Sequence, residues 1–266
     1  MTIETFPIGE HEIQFDLDPS VVSDNGIMWY KSQNNYPCEP ELIHLMTKVL
    51  KRGDRFIDGG ANVGFFSLYA AKLVGPTGRV LAVEPEKRNL ERLERNIAIN
   101  ALDNIEIVER ALADTTAENT FLRLSEDNGM HSLLAVPDRA TGKEQQATTI
   151  RLDTLLTGLP VRLIKLDVEG AEVAALKGGA TYVRPHSTPF VVCEMNEEAL
   201  LNAGTSSPEM RRLMQVRGYD AFVIHQSGAL PTLVPSTCTI VPERQNSLIL
   251  FSTPTDVGRA WLEVRI

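Results

Sequence analysis

Short apolar runs alternate with helical patterns along most of this chain. From Arg55 onward these runs are rich in Val, Ile and Leu, as in strands that are covered on both faces: RFID, RVLAVE, IEIVE, VRLIKLD and PFVVCE. Between them, apolar residues recur at helical spacing in FFSLYAAKLV, NLERLERNIAIN and GAEVAALKGG. Repeated strand–helix units of this kind predict an α/β fold with an open, doubly wound parallel sheet.

The C-terminal part of the chain departs from this alternation. The runs DAFVIH and SLILFS follow the helical segment PEMRRLMQVRG, and no helical pattern separates the two runs. Successive strands without a crossover helix are expected to pair antiparallel. The sequence therefore predicts a parallel sheet with an antiparallel edge.

The remaining segments are predicted to flank or interrupt this sheet. HEIQFDL alternates like a strand, so residues 1–35 are predicted to form a β extension packed on the core. A helix is predicted over EPELIHLMTKVL, with its end at Gly53, and residues 36–266 are predicted to form one domain. Within that domain residues 115–150 are mostly polar, and TFLRL and TTIRL are predicted strands of an inserted hairpin or loop.

The composition and net charge of the chain indicate which kinds of protein and partner to expect. The 266 residues are 43% hydrophobic and 23% charged, which is ordinary for a globular protein. No apolar run approaches the ~18 residues of a membrane span, the first residues lack a secretory signal, and three scattered cysteines indicate no disulfide framework, so a cytoplasmic location is expected. The net charge of −9 argues against a nucleic-acid partner.

Four acidic residues follow the apolar strand runs. Each lies where a predicted strand ends, at Asp58, Glu84, Asp167 and Glu194. In an open α/β sheet this edge binds ligands, and clustered acids repel one another unless a cation, a hydroxyl-rich ligand or protons compensate them. The alternative for each acid is that it caps the turn or helix that follows.

The stretch FIDGGANVGFFS predicts a glycine-rich turn after the first strand of the domain. It lacks the lysine of a phosphate-binding loop, and the spacing of its glycines fits a dinucleotide motif poorly. Glu84 lies 20 residues after Gly64, where a carboxylate can accept hydrogen bonds from a ribose. S-adenosylmethionine matches this site, because it carries positive charge and a ribose diol but no phosphate. The alternative is a turn that is only structural.

The segment LIKLDVEG carries the chemistry expected next to that cofactor. Lys165 and Asp167 share one face of the strand, where the lysine can neutralise and hold a neighbouring acid. Asp167 is a candidate to accept a proton, to bind the ammonium group of the cofactor or to ligate a metal. Glu194 could bind acceptor hydroxyls, or join Asp167 around a divalent cation. For Glu169 we favour a charge in the first turn of the next helix over a catalytic role.

Further candidates lie in predicted loops. His131, in the polar stretch 125–147 that could wall or cover a pocket, is a candidate general base. Glu39 is expected to reach toward the cofactor. It follows three aromatic residues that could either wall an acceptor pocket or anchor the leading segment: Trp29, Tyr30 and Tyr36.

The chain resembles the FkbM family of S-adenosylmethionine-dependent methyltransferases across about residues 36–252. The matching segments are CEPEL, FIDGGANVGFFSLYAA, VLAVEPEKRNLERLERNIAIN, ERALAD, LIKLDVEGAEVAALKGG and VVCEMN. One departure is Gly59, which stands where the family commonly has a branched residue and should loosen the turn.

The resemblance implies a class I methyltransferase fold, Rossmann-like, with seven strands of which the last is antiparallel. It also implies that the methionine side of the cofactor is lined by Asp58, Gly60, Asn62 and Gly64. Glu84 would bind the ribose, and residues around Ala111 would lie near the adenine.

The expected activity is methyl transfer to a hydroxyl of a small-molecule, sugar or polyketide-type acceptor. An N-methyltransferase for amines or peptides is the first alternative, and a non-catalytic cofactor-binding module is the second. A DNA amino-methyltransferase is disfavoured, because DVEG stands where such enzymes carry an Asn-Pro-Pro-Tyr type of motif. The glycine spacing disfavours a nicotinamide-dependent dehydrogenase.

Overall fold

The computed structural model describes residues 2–18, 20–21, 39–126, 130–134, 140–157, 160–238, 240 and 247–262. The strands are β1 (Thr2–Ile8), β2 (His11–Leu17), β3 (Arg55–Gly59), β4 (Arg79–Val83), β5 (Ile105–Val108), β6 (Ala111–Leu112), β7 (Thr120–Ser125), β8 (Ala140–Ala147), β9 (Thr149–Ile150), β10 (Leu163–Leu166), β11 (Phe190–Met195), β12 (Asp220–Val223), β13 (Thr232–Leu233) and β14 (Ser247–Ser252). The helices are α1 (Pro40–Val49), α2 (Phe65–Val74), α3 (Lys87–Ile99), α4 (Leu152–Leu156), α5 (Glu172–Gly178), α6 (Glu197–Asn202), α7 (Ser207–Val216) and α8 (Pro254–Leu262).

A mixed sheet of eight strands forms the centre, in the order β13-β12-β14-β11-β10-β3-β4-β5. The five strands from β11 to β5 are parallel, and β14 pairs antiparallel with both β11 and β12. The doubly wound sheet with an antiparallel strand near its edge is therefore confirmed. The two-residue β13 adds an eighth strand to the seven expected, beyond β12.

Apolar residues alternate between the two faces of this sheet. Phe56 and Leu163 belong to a core that also contains residues of α1 and α2, whereas Ile57 and Ile164 belong to a second core with residues of α5 and α7. Because side chains alternate along a strand, each central strand can be buried on both faces. None of the described helices has the length and apolar composition required to cross a membrane.

The parallel register brings charged residues of neighbouring strands together. Lys165 of β10 pairs with Asp58 of β3, and Leu166 pairs with Gly59, the last residue of β3. The strand β11 lies on the other side of β10 and carries Glu194 near its carboxyl end. The sheet order thus places β3, β10 and β11 side by side at the edge where ligands bind in such folds.

The N-terminal hairpin packs against the start of α2. Strands β1 and β2 pair antiparallel, and the ring of Phe15 stacks on Phe65 with 5.2 Å between their centroids. The strand β1 was not predicted. Helix α1 ends at Val49, ahead of the predicted end at Gly53, and Gly53 lies in the following turn with a φ of 87°.

The polar segment near residues 115–150 contains a strand that its pattern did not predict. β7 pairs antiparallel with β8, whereas TTIRL contributes only the two-residue β9, which pairs with β6. TFLRL and TTIRL thus both contain strands, but the partner of β7 in the hairpin is β8 and not the strand of TTIRL. Most of β8 is exposed, so its sequence carries no apolar alternation from which a strand could be recognised.

Candidate functional site

The turn between β3 and α2 follows a path that requires glycine. Gly60 and Gly64 have φ angles of 77° and 92°, and Asn62 between them has a φ of 50°. A Cβ on Gly60 would lie 1.8 Å from the backbone oxygen of Asp167, so a side chain has no room there. Gly59, by contrast, belongs to β3 and packs against Leu112 and Leu166, so it does not loosen the turn.

Glu84 follows β4 and holds this turn from the neighbouring strand. Its Oε2 accepts the backbone N–H of Asn62 at 2.8 Å, and its Oε1 accepts the N–H of Glu86 at 2.9 Å. Burial raises the pKa of Glu84 to about 7, although these two hydrogen bonds lower it. The side chain of Asn89 also forms a hydrogen bond with this carboxylate, which leaves one of its four lone pairs to accept a further hydrogen bond.

A cavity opens at the carboxyl ends of the parallel strands. Six of the residues predicted from sequence line it: Gly60, Asn62, Glu84, Ala111, His131 and Asp167. Apolar side chains that also line it include Leu112, Leu122 and Leu133. Apolar walls with a few polar groups are typical of small-molecule sites.

Other predicted residues lie behind this lining. Asp58 is fully buried and accepts a hydrogen bond from Ser67 Oγ at 2.6 Å. Gly64 precedes α2, and a Cβ there would lie 2.4 Å from Leu93 Cδ1, so it serves close packing. Glu39 lies at the N-terminal end of α1. The aromatic residues Trp29, Tyr30 and Tyr36 are outside the described residues.

A buried lysine connects the acids of neighbouring strands. Lys165 is 1% exposed, and its Nζ lies 3.3 Å from both Asp58 Oδ1 and Asp167 Oδ2. The same ammonium group donates to the backbone oxygen of Gly60 at 3.1 Å. Burial alone lowers the pKa of Lys165, but Asp167, Asp58 and Glu39 outweigh it and raise the pKa. Lys165 therefore stays charged and holds the carboxylate of Asp167 at the cavity wall.

Three acids meet beside this lysine at the end of β10. Carboxylate oxygens of Asp167, Glu169 and Glu194 lie within 4.8 Å of one another. Burial, followed by the charges of Asp167 and Glu169, raises the pKa of Glu194 well above its ordinary value. Burial and then Asp167 also raise the pKa of Glu39, to about 8. Near neutral pH these raised pKa values favour protonated carboxyl groups, and a positively charged ligand would favour their ionisation.

The position of Glu169 corrects the interpretation made from sequence. Helix α5 begins at Glu172, so the acid in its first turn is Glu172 and not Glu169. Glu169 precedes the helix with a left-handed φ of 51°, and its backbone oxygen accepts a hydrogen bond from Ser132 Oγ at 2.6 Å. A φ of this sign in a non-glycine residue is costly, and such residues cluster at functional sites.

Glu172 shapes the loop that carries Glu169. Its carboxylate accepts the backbone N–H groups of Val168 at 2.9 Å and Gly170 at 3.1 Å. Burial raises the pKa of Glu172 to about 7, against the effect of these hydrogen bonds. The pattern in the sequence, an acid three residues after Glu169, is compatible with this role but did not reveal it.

His131 enters the cavity from the segment after β7. Its Nδ1 accepts the backbone N–H of Ser125 at 3.0 Å, so the neutral ring carries its proton on Nε2. Nε2 is then a hydrogen-bond donor, which disagrees with the predicted role of His131 as a general base.

Several lining residues were not predicted. Asn89, Arg110 and Leu122 line the cavity, the first from α3 and the last from β7. The hairpin that contains Leu122 is held in place by Gln145 of β8, whose Nε2 donates to the oxygen of Pro85 at 2.8 Å. No local pattern in the polar sequence of β8 indicates this long-range contact.

The strand order and the cavity define a class I, Rossmann-like methyltransferase fold. The family model described as Methyltransferase FkbM domain matches residues 58–221, which is more than half of the chain. The chain therefore belongs to the FkbM methyltransferase family, which confirms the resemblance noted in its sequence.

Individual proteins are similar to parts of this chain. The 23S rRNA (uracil(1939)-C(5))-methyltransferase RlmD of Acinetobacter baylyi is 31% identical over 111 residues, which cover 41% of this chain and 23% of that protein. Methyltransferase sdnD of Sordaria araneosa is 28% identical over 153 residues, which cover 46% of this chain and 59% of sdnD. The chain thus spans less than two thirds of the length of either relative.

Among solved structures, methyltransferase FkbM from Methylobacillus flagellatus is similar with a TM-score of 0.48 and 18% sequence identity. The match covers 89% of this chain and 56% of that one.

Proposed function

We propose that this methyltransferase transfers the methyl group of S-adenosylmethionine to a hydroxyl of a small-molecule, sugar or polyketide-type acceptor. The observation that carries the proposal is a single cavity in which the glycine turn, Glu84 and the carboxylate of Asp167 face the same space. Carboxylates are hydrogen-bond acceptors, so they suit an acceptor that offers hydroxyl donors. The same charges oppose the approach of a polyanion.

The residues of the cavity fit S-adenosylmethionine. Ala111, Leu112 and Leu122 offer apolar surface for the adenine, and Glu84 has one free lone pair for a ribose hydroxyl. Asn62 Oδ1 is buried and has no hydrogen-bond partner among the described residues, so it is available to a donor of the ligand. Asp167, which Lys165 holds at the cavity wall, supplies negative charge for the cationic methionine end. When bound, the cofactor supplies a methyl group on a positively charged sulfur.

The chain itself has to orient the acceptor and remove its proton. A neutral hydroxyl is a weak nucleophile, and proton removal by a positioned side chain contributes about 10²–10⁴-fold to the rate. We assign proton acceptance to Asp167, because it lines the cavity and Lys165 holds its Oδ2 at 3.3 Å. Lys165 and Glu194 position Asp167, and His131 donates a hydrogen bond to the acceptor through Nε2.

Methyl transfer to a panel of acceptors tests this function. The full chain is incubated with methyl-labelled S-adenosylmethionine and with sugars, phenols and polyketide alcohols, and in parallel with amines, peptides and RNA. Label is expected in the hydroxyl compounds. Label confined to amines or peptides would replace the proposal with N-methylation, label confined to RNA would replace it with nucleic-acid methylation, and binding without any product would favour a cofactor-binding module.

Asp167→Asn tests the proton acceptor, and it is assayed with the acceptor that the panel shows to be methylated. We expect kcat to fall about 10²–10⁴-fold, the contribution of a general base, while the Kd for S-adenosylmethionine changes less than about tenfold. Unchanged kcat in a folded Asp167→Asn protein would remove Asp167 as the proton acceptor.

Glu84→Gln is expected to raise the Kd for S-adenosylmethionine at least about tenfold. An amide nitrogen cannot accept the N–H of Asn62 or Glu86, so one of the two bonds that position this side chain is lost. The wild-type affinity should also depend on pH. Because Glu84 has a pKa of about 7 and its ionised form is the better acceptor, affinity should fall as the pH drops through this value.

Titration calorimetry between about pH 6 and about pH 8 measures both effects. Glu84→Gln should remove this part of the pH dependence, because it cannot ionise. Glu106→Gln, an exposed charge change on the neighbouring β5, is the control and should behave as wild type. Equal affinities in Glu84→Gln and wild type would contradict the assignment of Glu84 to the ribose.

A further inference from the structure

The acids at the end of β10 form a group with the composition of a metal site. Asp167 follows β10, Glu169 lies in the next loop, and Glu194 belongs to β11, yet their carboxylate oxygens lie within 4.8 Å of one another. Three carboxylates at this separation repel one another strongly if all are ionised. Lys165 contacts Asp167 but is shared with Asp58, so it offsets only part of this charge.

A second observation indicates that a ligand is expected between these acids. Glu194 is 5% exposed, and although its carboxyl group forms a hydrogen bond with Asp167, its Oε2 has no hydrogen-bond partner among the residues that the structure describes. A buried carboxylate oxygen without a partner costs free energy unless something outside the chain satisfies it. Because this carboxylate belongs to the three-acid group, the missing partner would lie between Glu194, Asp167 and Glu169.

We propose that Asp167, Glu169 and Glu194 bind one divalent cation. The donors are all carboxylate oxygens, which select hard cations such as Mg²⁺, Mn²⁺ and Ca²⁺ over the ions that prefer nitrogen or sulfur. Ligands on opposite sides of an ion with metal–oxygen distances of about 2.4 Å are about 5 Å apart, so the separation within this group leaves room for the ion.

Hydrogen bonds from neighbouring side chains hold the backbone around Glu169 in place. Ser132 holds the oxygen of Glu169, and Glu172 holds the N–H groups on both sides of it, at Val168 and Gly170. These bonds fix the loop in the left-handed turn that brings Glu169 to the other two acids. Outer contacts of this kind orient the ligands of metal sites.

A role for the cation in the reaction rests on the proposed methyl transfer. The binding of the cation does not. Asp167 and Glu169 also line the cavity, so an ion held by them would face an acceptor bound there. A divalent ion that contacts a hydroxyl lowers the pKa of that hydroxyl and orients it. The preferred acceptor would then carry a second oxygen next to the methylated one, as in a vicinal diol or a hydroxy-carbonyl compound.

Direct binding of Mn²⁺ tests the site without cofactor or acceptor. Chelator-treated full-length protein is titrated with Mn²⁺ and followed by the loss of the electron paramagnetic resonance signal of the free ion. We expect one site per chain, displaced by Mg²⁺ or Ca²⁺. Glu194→Gln and Glu169→Gln should each raise the Kd at least about tenfold, the lower end of what removal of an outer contact costs.

Glu94→Gln is the control, because it removes one exposed charge of α3 and leaves the site intact. Its Kd for Mn²⁺ should equal that of wild type, and thermal unfolding should show that all variants are folded. Absence of Mn²⁺ binding, or binding unchanged in both Glu194→Gln and Glu169→Gln, overturns the proposal. Calorimetry with S-adenosylmethionine on the metal-free protein separates the two hypotheses, since cofactor binding without Mn²⁺ binding would reject only the cation site.

Discussion

Lys165→Met is expected to lower the free energy of unfolding by about 3–5 kcal/mol, the cost of breaking a buried ion pair from one side. Lys165 is 1% exposed and Asp58 is 0% exposed, so the loss of the ammonium group leaves a carboxylate with no access to water. Ser67 still donates to Asp58 at 2.6 Å, but a neutral hydroxyl does not compensate the charge. Methionine keeps most of the side-chain volume of lysine, so the loss of stability comes from removal of the charge and not from a cavity.

Chemical denaturation followed by circular dichroism measures this effect. Lys177→Met is the matched control, because Lys177 Nζ lies 2.9 Å from Glu209 Oε1 on the surface, where such pairs contribute less than about 1 kcal/mol. Adding Asp58→Asn to Lys165→Met should recover part of the stability, since it removes the uncompensated charge. A loss in Lys165→Met as small as that in Lys177→Met would refute the structural role of the ion pair.

Gly60→Ala should have the largest effect on cofactor binding. A Cβ at this position meets the backbone oxygen of Asp167 at 1.8 Å, and the φ of 77° is unfavourable for alanine by about 1–2 kcal/mol. Relief of the clash requires the turn to move away from β10. Such a movement separates Asn62 from Glu84 and displaces the cavity wall, so the Kd for S-adenosylmethionine should rise at least about 100-fold.

Gly204→Ala distinguishes the clash from the backbone conformation. Gly204 has a φ of 76°, but no atom of the described residues lies within 4 Å of a Cβ built on it. Gly204→Ala should therefore lose about 1–2 kcal/mol of stability and bind the cofactor as wild type does. Calorimetry and denaturation of both variants give the comparison, and equal cofactor affinities in the two would mean that Gly60 does not shape the site.

The sheet could be predicted because its central strands are buried on both faces. Runs such as RFID and PFVVCE remain apolar for several residues, and they coincide with β3 and β11. Helix α2 was predicted over FFSLYAAKLV because apolar residues recur there at helical spacing, and these are its observed bounds. The strand β8 was missed because its side chains are mostly exposed and its partner β7 is distant in sequence.

The candidate site was predicted in part. The acids at strand ends were identified because the topology of parallel sheets brings strand ends to one edge. Glu169 was misplaced by one helical turn, since the start of α5 depends on the hydrogen bonds that Glu172 makes with the loop before it. The tautomer of His131 depends on the N–H of Ser125, a contact that spacing alone does not define.

Local patterns sufficed for the parallel strands of the central sheet, for the glycine turn and for the acids at strand ends, because hydrophobic burial and backbone geometry act on neighbouring residues. The grouping of Asp167, Glu169 and Glu194, and the placement of Lys165 between Asp58 and Asp167, arose only when β3, β10 and β11 came together. Electrostatic interactions depend on distances between residues far apart in the chain and on their burial, and the folded chain is what sets both.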